Sequence, residues 1–169
     1  AYYRTPALES APGVIRGLVG DWNLGGVFQA QSGAPFDVST NVDIGGVGPG
    51  SGAQYYNIVG DPNTGRTEFD GTSAVWFNRA PFQAPAPGTY ATNWERNNLR
   101  NPGFWDLHMS LRKSVAVGTH RVELRWDVFN VLNHTNLGGP NSNPTSADFG
   151  TITSRNGNRT MQIGLQYIF

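Results

Sequence analysis

Four segments of the chain alternate apolar and polar residues with a period of two. They cover residues 17–31, 104–113, 119–132 and 159–169. A period of two places successive side chains on opposite faces of a strand. No segment shows a sustained helical period. The pattern therefore predicts four amphipathic strands, with a long loop over 32–103 and a second loop over 133–158.

The alternation also assigns side chains to faces. The predicted apolar face consists of Trp105, Leu107, Met109, Leu111, Val122, Leu124, Trp126 and Val128. The predicted polar face consists of Asp106, His108, Arg112, Arg121, Glu123, Arg125 and Asp127. In a soluble sandwich the apolar face would form the core, whereas in a membrane barrel it would meet lipid and the charged face would line the lumen. One strand does not choose between these structures.

The lengths of the connections favour a barrel. Residues 114–118 form a tight turn, whereas loops as long as 32–103 are uncommon in compact soluble domains. Outer-membrane barrels have short periplasmic turns and long extracellular loops. If the final strand runs towards the periplasm, the tight turn is periplasmic and both long loops are extracellular. We therefore expect residues 1–169 to form a single all-β unit, an antiparallel meander in which 119–132 pairs with both 104–113 and 159–169.

Composition narrows the possible functions. The formal net charge is zero, which gives no reason to expect nucleic acid as a partner. Cysteine is absent, which excludes disulfides and thiolate zinc sites, and there is no long apolar run typical of a membrane-spanning helix. The 22 glycines and 11 prolines suit strands and loops. Because the chain starts at Ala1 without an initiator Met, we expect it to be a processed or excised piece.

Several stretches resemble one family. They are WNLGGVFQAQSGAPFDV (22–38), RNNLRNPGFWDLHMSLRKS (96–114), RVELRWDVFNVLNHTNL (121–137), FGTIT (149–153) and RTMQIGLQYIF at the end. Together they resemble the C-terminal barrel portion of a TonB-dependent outer-membrane receptor of the type with a carboxypeptidase-regulatory-like domain. The resemblance implies an outer-membrane protein that acts in nutrient uptake, with a barrel of about 22 strands around a plug.

The resemblance also implies a role for the last strand. Its alternating apolar residues resemble the signal that is read by the barrel-assembly machinery, which would then be a partner of the parent protein. These residues are Met161, Ile163, Leu165, Tyr167 and Phe169.

Four strands cannot close a barrel of that size, so we expect the chain alone to be incompetent for transport. Its open sheet edges favour association with other copies, and a shed fragment would form an extracellular homopolymer or filament. Two alternatives remain: an intact membrane-embedded receptor portion, and a small soluble β-sandwich that acts as a binding module.

Candidate chemistry is sparse, and we expect no enzyme activity, cofactor or metal. His108, His120 and His134 lack metal-motif spacing. The segment DPNTG at 61–65 lacks the acids of a calcium loop, and GGVGPGSG at 45–52 lacks the Lys-Ser/Thr of a phosphate-binding loop. Several aromatic residues of the long loop could stack on a ligand, but we favour packing within the loop. They are Tyr55, Tyr56, Trp76, Phe77, Tyr90 and Trp94.

Overall fold

The structure, a computed structural model, describes all residues from Ala1 to Phe169. Only 4% of it is helix, and the predicted all-β class is confirmed. In chain order the elements are β1 (Tyr2–Arg4), α1 (Gly13–Val19), β2 (Trp22–Gln31), β3 (Pro35–Phe36), β4 (Ser39–Thr40), β5 (Gln54–Tyr55), β6 (Asn57–Ile58), β7 (Ala74–Val75), β8 (Phe82–Gln83), β9 (Leu99–Arg100), β10 (Phe104–Val117), β11 (His120–Phe129), β12 (Asn136–Leu137), β13 (Thr151–Ile152), β14 (Arg155–Asn156) and β15 (Thr160–Ile168).

The chain divides into two compact units. The sheet unit contains residues 1–31, 104–135 and 157–169, and the loop unit contains residues 32–103 and 136–156. The sheet unit holds one antiparallel sheet with the strand order β1-β2-β10-β11-β15. The expected hairpin of β10 with β11 and the expected pairing of β11 with β15 are both confirmed. The sheet is therefore a meander.

The hairpin turn is tighter than the sequence predicts. β10 continues to Val117, and only Gly118 and Thr119 connect it to β11. The observed turn is shorter than the predicted turn at 114–118, because Val115 extends the apolar side of β10 and pairs with Val122. Gly118 has φ 64°, which suits the first central position of a type II′ turn, the kind that matches the twist of paired strands.

The first long strand begins later than expected. The alternation predicts a strand over residues 17–31, but α1 occupies Gly13–Val19 and β2 starts at Trp22. Pro12 precedes the helix with φ −51°, and Asp21 with φ 58° turns the chain into the strand. The helix has only 7 residues, which is too short to show a helical period in the sequence.

The loop unit has a hydrophobic core of its own. Val38, Phe77, Leu99 and Phe149 are buried together. The same unit contains five two-stranded pairs: β3 with β9, β4 with β5, β6 with β8, β7 with β13, and β12 with β14. The residues predicted as two long loops are thus an ordered structure in which short strands distant in sequence pair with each other.

Several aromatic residues of the loop unit contact one another or its backbone. Phe77 makes an edge-to-face contact with Phe149, with ring centroids 5.1 Å apart. Tyr55 and Trp94 stack with ring centroids 4.0 Å apart. Trp76 Nε1 donates a hydrogen bond of 2.6 Å to the carbonyl of Arg100. For Tyr55, Trp76, Phe77 and Trp94 these contacts are the packing within the loop that the sequence analysis favoured, whereas Tyr90 is 61% exposed.

Candidate functional site on the polar face of the sheet

The strand register places polar side chains side by side across the sheet. One row consists of Arg4, Asn23, Arg112, Arg125 and Gly164. The next polar row consists of Tyr2, Gly25, Ser110, Asp127 and Gln162. Between them on the opposite face lies an apolar row of Tyr3, Leu24, Leu111, Trp126 and Ile163. The alternation seen along each strand therefore continues in register across five strands.

Ion pairs connect most of the charges on the polar face. Arg4 and Asp21 are 2.8 Å apart, and Arg121 and Glu123 are 3.9 Å apart. Arg125 pairs with Asp127 through its Nε atom. The Arg4–Asp21 and Arg121–Glu123 pairs are exposed and contribute about 0–1 kcal/mol each. In the third pair the carboxylate of Asp127 is buried.

A hydrogen-bond network lies at the end of the sheet that is opposite the tight turn. The backbone N–H of Asn130 donates to His108 Nδ1 at 3.1 Å, which leaves the ring proton of a neutral His108 on Nε2. That Nε2 atom is 3.7 Å from the carboxylate of Asp106. The side-chain amide of Asn130 donates to the carbonyls of His134, at 2.7 Å, and of Gly157. Sequence reasoning missed Asn130 because its role depends on contacts with distant residues.

The other two histidines have separate environments. His134 stacks on Trp105 with ring centroids 3.8 Å apart, and His120 stacks on Tyr167 at 5.5 Å. No group of three or more His, Cys, Asp or Glu side chains lies in an arrangement that could hold a metal ion.

The two loop motifs considered in the sequence are turns. The backbone N–H of Asn63 donates to Asp61 Oδ1 at 2.8 Å, which is an Asx turn. In the glycine run, the carboxylate of Asp43 accepts N–H bonds from Gly48 at 2.7 Å and Val47 at 3.1 Å. The Gly48 hydrogen bond is the largest cause of the lowered pKa of Asp43.

A concavity of about 420 Å³ opens on the polar face. Its lining residues come from β2, β10, β11 and β15, and they are Asn23, Arg112, Lys113, Ser114, Glu123, Leu124, Arg125, Gly164, Leu165 and Gln166. Arginine, amide and hydroxyl groups thus share one recess, and these groups can bind a polar or charged solute.

Much of the apolar face has no cover within the chain. Ile163 and Leu165 are 72% and 73% exposed, and Trp126 is 40% exposed. No helix of the structure has the length and apolar character needed to cross a membrane. An uncovered apolar row of this extent is typical of a surface that meets lipid or another protein.

The comparisons with known proteins identify the family. A family model described as an outer membrane β-barrel domain matches residues 1–162. The chain belongs to this outer-membrane β-barrel family. Its location is accordingly the outer membrane. No curated protein and no solved structure matches the chain.

Membership in the outer-membrane β-barrel family indicates what each face of the sheet would contact. In such barrels the apolar face meets lipid and the polar face lines the lumen. This favours the barrel over the soluble sandwich, which the alternation alone left open. In a barrel of this family the concavity and the arginine side chains of the polar face would face the lumen.

Lys113 is an exception that sequence reasoning did not place. It belongs to the apolar row, where it pairs with Trp22 on one side and Leu124 on the other. Its Nζ donates to the carbonyl of Gly20 and lies 5.1 Å from the centroid of the Trp22 ring. A lysine and a tryptophan near the end of a barrel strand suit the membrane–water interface, where the charged amine reaches polar groups.

The residues expected to form the assembly signal lie on the edge strand. Met161, Ile163, Leu165 and Tyr167 alternate along β15, which pairs on one side only, with β11. Phe169 follows β15, is 93% exposed and lies near Tyr167, with ring centroids 6.3 Å apart. This strand is therefore an open edge at which a further barrel strand can pair.

Proposed function

We propose that the chain forms the C-terminal strands of a TonB-dependent outer-membrane receptor and lines the solute pathway through its barrel. The observation that carries this proposal is the in-register separation of polar from apolar rows across the sheet. A barrel wall needs polar side chains towards its water-filled lumen and apolar side chains towards lipid. A shift of one residue in any strand would exchange the two faces of that strand.

The connections support the same arrangement. β2 ends at Gln31 next to the start of β10, and β11 ends at Phe129 next to the start of β15. Both long connections, residues 32–103 and 130–159, therefore begin and end at the same end of the sheet. The tight turn at Gly118 is at the other end. Long connections at one end and a tight turn at the other are typical of outer-membrane barrels.

The sheet provides only part of such a barrel. β2, β10, β11 and β15 are long enough to cross a bilayer at barrel tilt, whereas β1 has only three residues. A receptor barrel of about 22 strands needs more strands and a plug. Uptake is thus proposed as a property of the complete receptor and not of these strands alone.

Epitope insertion tests the orientation of the proposed barrel. Gly65 in the loop unit and Gly118 in the tight turn both lie in turns with open space around them, so we expect each to accept an inserted tag. On intact cells an antibody should label the tag at Gly65 and should not label the tag at Gly118 until the outer membrane is permeabilised. Labelling in the reverse order would overturn the proposed orientation.

Cross-linking tests the receptor type. The full protein in cells should form a covalent adduct with TonB after formaldehyde treatment, and the adduct should be lost in a strain that lacks TonB. A correctly oriented barrel that gives no TonB adduct would refute the receptor type while leaving the barrel intact.

A second candidate function is self-assembly of a shed fragment into an extracellular filament. The observation that favours it is that the sheet is open at both edges: β15 pairs on one side only, and β1 covers just Asn23–Gly25 of β2. Open edges and an uncovered apolar face both favour pairing with a second copy, and a head-to-tail contact that does not close gives a fibre.

Electron microscopy of the purified chain separates this candidate from the barrel. After removal of detergent, fibres with a regular repeat are expected if copies pair edge to edge. Monodisperse particles in detergent that form only amorphous aggregates without it would argue against the filament.

A further inference from the structure

Two arginines face each other across neighbouring strands on the polar face. Arg112 of β10 is the register partner of Arg125 of β11. Side chains directly opposite each other in an antiparallel pair are close neighbours, and like charges in these positions destabilise the pair. The Asp127 carboxylate offsets part of this repulsion because it pairs with Arg125, whereas Arg112 is left without a counter-charge.

Arg112 is the one arginine of the sheet strands that has no acidic partner. Arg4, Arg121 and Arg125 each form an ion pair with a carboxylate. The side chain of Arg112 has neither an ion pair nor a hydrogen bond, and it is exposed. Its five N–H groups are consequently free to bind a group from outside the chain.

The groups around Arg112 offer further donors. Arg125 uses Nε for Asp127, which leaves its two terminal nitrogens free. Asn23 Oδ1 accepts the hydroxyl proton of Tyr2, which leaves the amide N–H groups of Asn23 as donors. Ser114 lines the same recess.

The recess also has room beside Arg125. The next residue of the row is Gly164, and a Cβ there would meet no atom within 4 Å. Glu123 is an acidic residue of the same concavity, and it is already paired with Arg121 at 3.9 Å.

We infer that Arg112 and Arg125 form a binding subsite for the oxyanion of a small solute, a carboxylate or a phosphate. A planar guanidinium binds either group through two parallel hydrogen bonds, and an anion between the two arginines removes their repulsion. The position of this subsite in the lumen rests on the proposed function, whereas the pairing of the two arginines rests on the strand register alone.

Calorimetry on the purified protein in detergent tests the subsite. Inorganic phosphate and succinate are titrated separately in a buffer of low chloride concentration, and Arg112→Gln is compared with Arg121→Gln. The control removes the same charge from the same face at an arginine that already has an acidic partner. We expect Arg112→Gln to weaken anion binding by about tenfold or more and the control by less than about twofold, because Arg112 loses a charge-assisted bidentate contact.

A second variant excludes misfolding as the cause of weak binding. Arg112→Glu places a carboxylate opposite Arg125, so the protein should fold at least as stably as the wild type and bind neither anion. Saturating phosphate should raise the unfolding temperature of the wild type and leave that of Arg112→Glu unchanged.

Two results would overturn the inference. One is equal weakening by Arg112→Gln and Arg121→Gln, which would indicate general electrostatic attraction. The other is wild-type binding of neither phosphate nor succinate. Binding of only one of the two probes would support the subsite and assign it to that class of oxyanion. None of these results depends on TonB cross-linking or epitope labelling, so failure of the subsite and failure of the proposed function are distinguishable.

Discussion

Asn130 holds the chain where it leaves β11. It is 2% exposed and has φ 50°, a backbone conformation that asparagine tolerates better than most residues. Its side chain donates to two carbonyls and accepts the N–H of His134 at 2.8 Å. One side chain therefore fixes the start of one long connection and the end of the same connection at Gly157.

We predict that Asn130→Ala destabilises the protein by about 2–4 kcal/mol, because two partly buried carbonyls lose their donor. Asn133→Ala is the matched control, because Asn133 has φ 53° and its replacement by alanine carries a similar backbone cost. The side chain of Asn133 accepts one long hydrogen bond, of 3.3 Å, from the backbone N–H of Arg159. Urea unfolding from detergent or vesicles measures both. Equal losses for the two variants would show that the cost lies in the backbone conformation rather than in the hydrogen bonds.

The carboxylate of Asp43 accepts hydrogen bonds from the glycine run, so we expect the stability of this turn to depend on pH. The pKa of Asp43 is lowered, chiefly by the Gly48 N–H and further by Val47 and Gln54. A pKa that is lower in the folded state means that the turn gains stability above the unfolded carboxyl pKa and loses it as the pH falls through the folded pKa. We expect the amide chemical shift of Gly48 to titrate with a midpoint below the ordinary value of 3.8.

Asp43→Asn is the control for this titration, because it keeps the shape and removes the charge. Its Gly48 shift should be flat over the same pH range. A midpoint at or above the ordinary value in the wild type would contradict the prediction.

At the residue scale, the sequence predicts the face on which a side chain lies and little else. The positions of Arg112 and Arg125 on one face are set by a period of two, but their direct opposition depends on the register, and the register depends on a turn of two residues. The role of Lys113 could be suspected, because it interrupts an apolar row. The role of Asn130 could not, because its partner Gly157 is distant in sequence and is brought close only by the fold.

β15 offers a direct test of the two faces at the scale of an element. Ile163 and Gln162 are neighbours near the middle of the strand, and they pair with Trp126 and Asp127 respectively. We predict that Ile163→Arg destabilises the barrel by about 2–4 kcal/mol, because it places a charge in lipid. Gln162→Arg should cost much less, since its side chain faces the wet lumen.

Unfolding from lipid vesicles measures both variants of β15. If Gln162→Arg proved the more damaging variant, the assignment of the faces would be reversed.

The elements show where sequence reasoning works and where it fails. Long strands are predicted well because their alternation extends over many residues, and β10 even continues beyond the predicted end. α1 is not predicted, because its two turns are too short to show a helical periodicity in the sequence. The short strands of the loop unit are not predicted for a related reason: each has two residues, and each is defined by a partner far away in the chain.

At the scale of the whole molecule, the loop unit has a core separate from the sheet. Phe77 is 0% exposed at the centre of that core. We predict that Phe77→Ala destabilises the loop unit by about 3–5 kcal/mol through loss of buried contacts and formation of a cavity. Proteolysis within residues 32–103 should become faster, while the sheet stays protected in the membrane.

Tyr90→Ala is a suitable control, because Tyr90 is aromatic, belongs to the same unit and is 61% exposed. Its proteolysis should match that of the wild type. If Phe77→Ala also released the sheet strands to protease, the two units would not be independent in stability.

The pairing of β3 with β9 has a kinetic consequence. A hairpin such as β10–β11 forms locally in about 1–10 μs, whereas β2 must find β10 across the whole of residues 32–103. Closing a flexible segment of that length costs roughly 4 kcal/mol in chain entropy. β3 lies just after Gln31 and β9 lies just before Phe104, so their pairing joins the two ends of this segment. A loop unit that folds first has therefore already closed it. The loop unit would then set the order in which the barrel wall assembles.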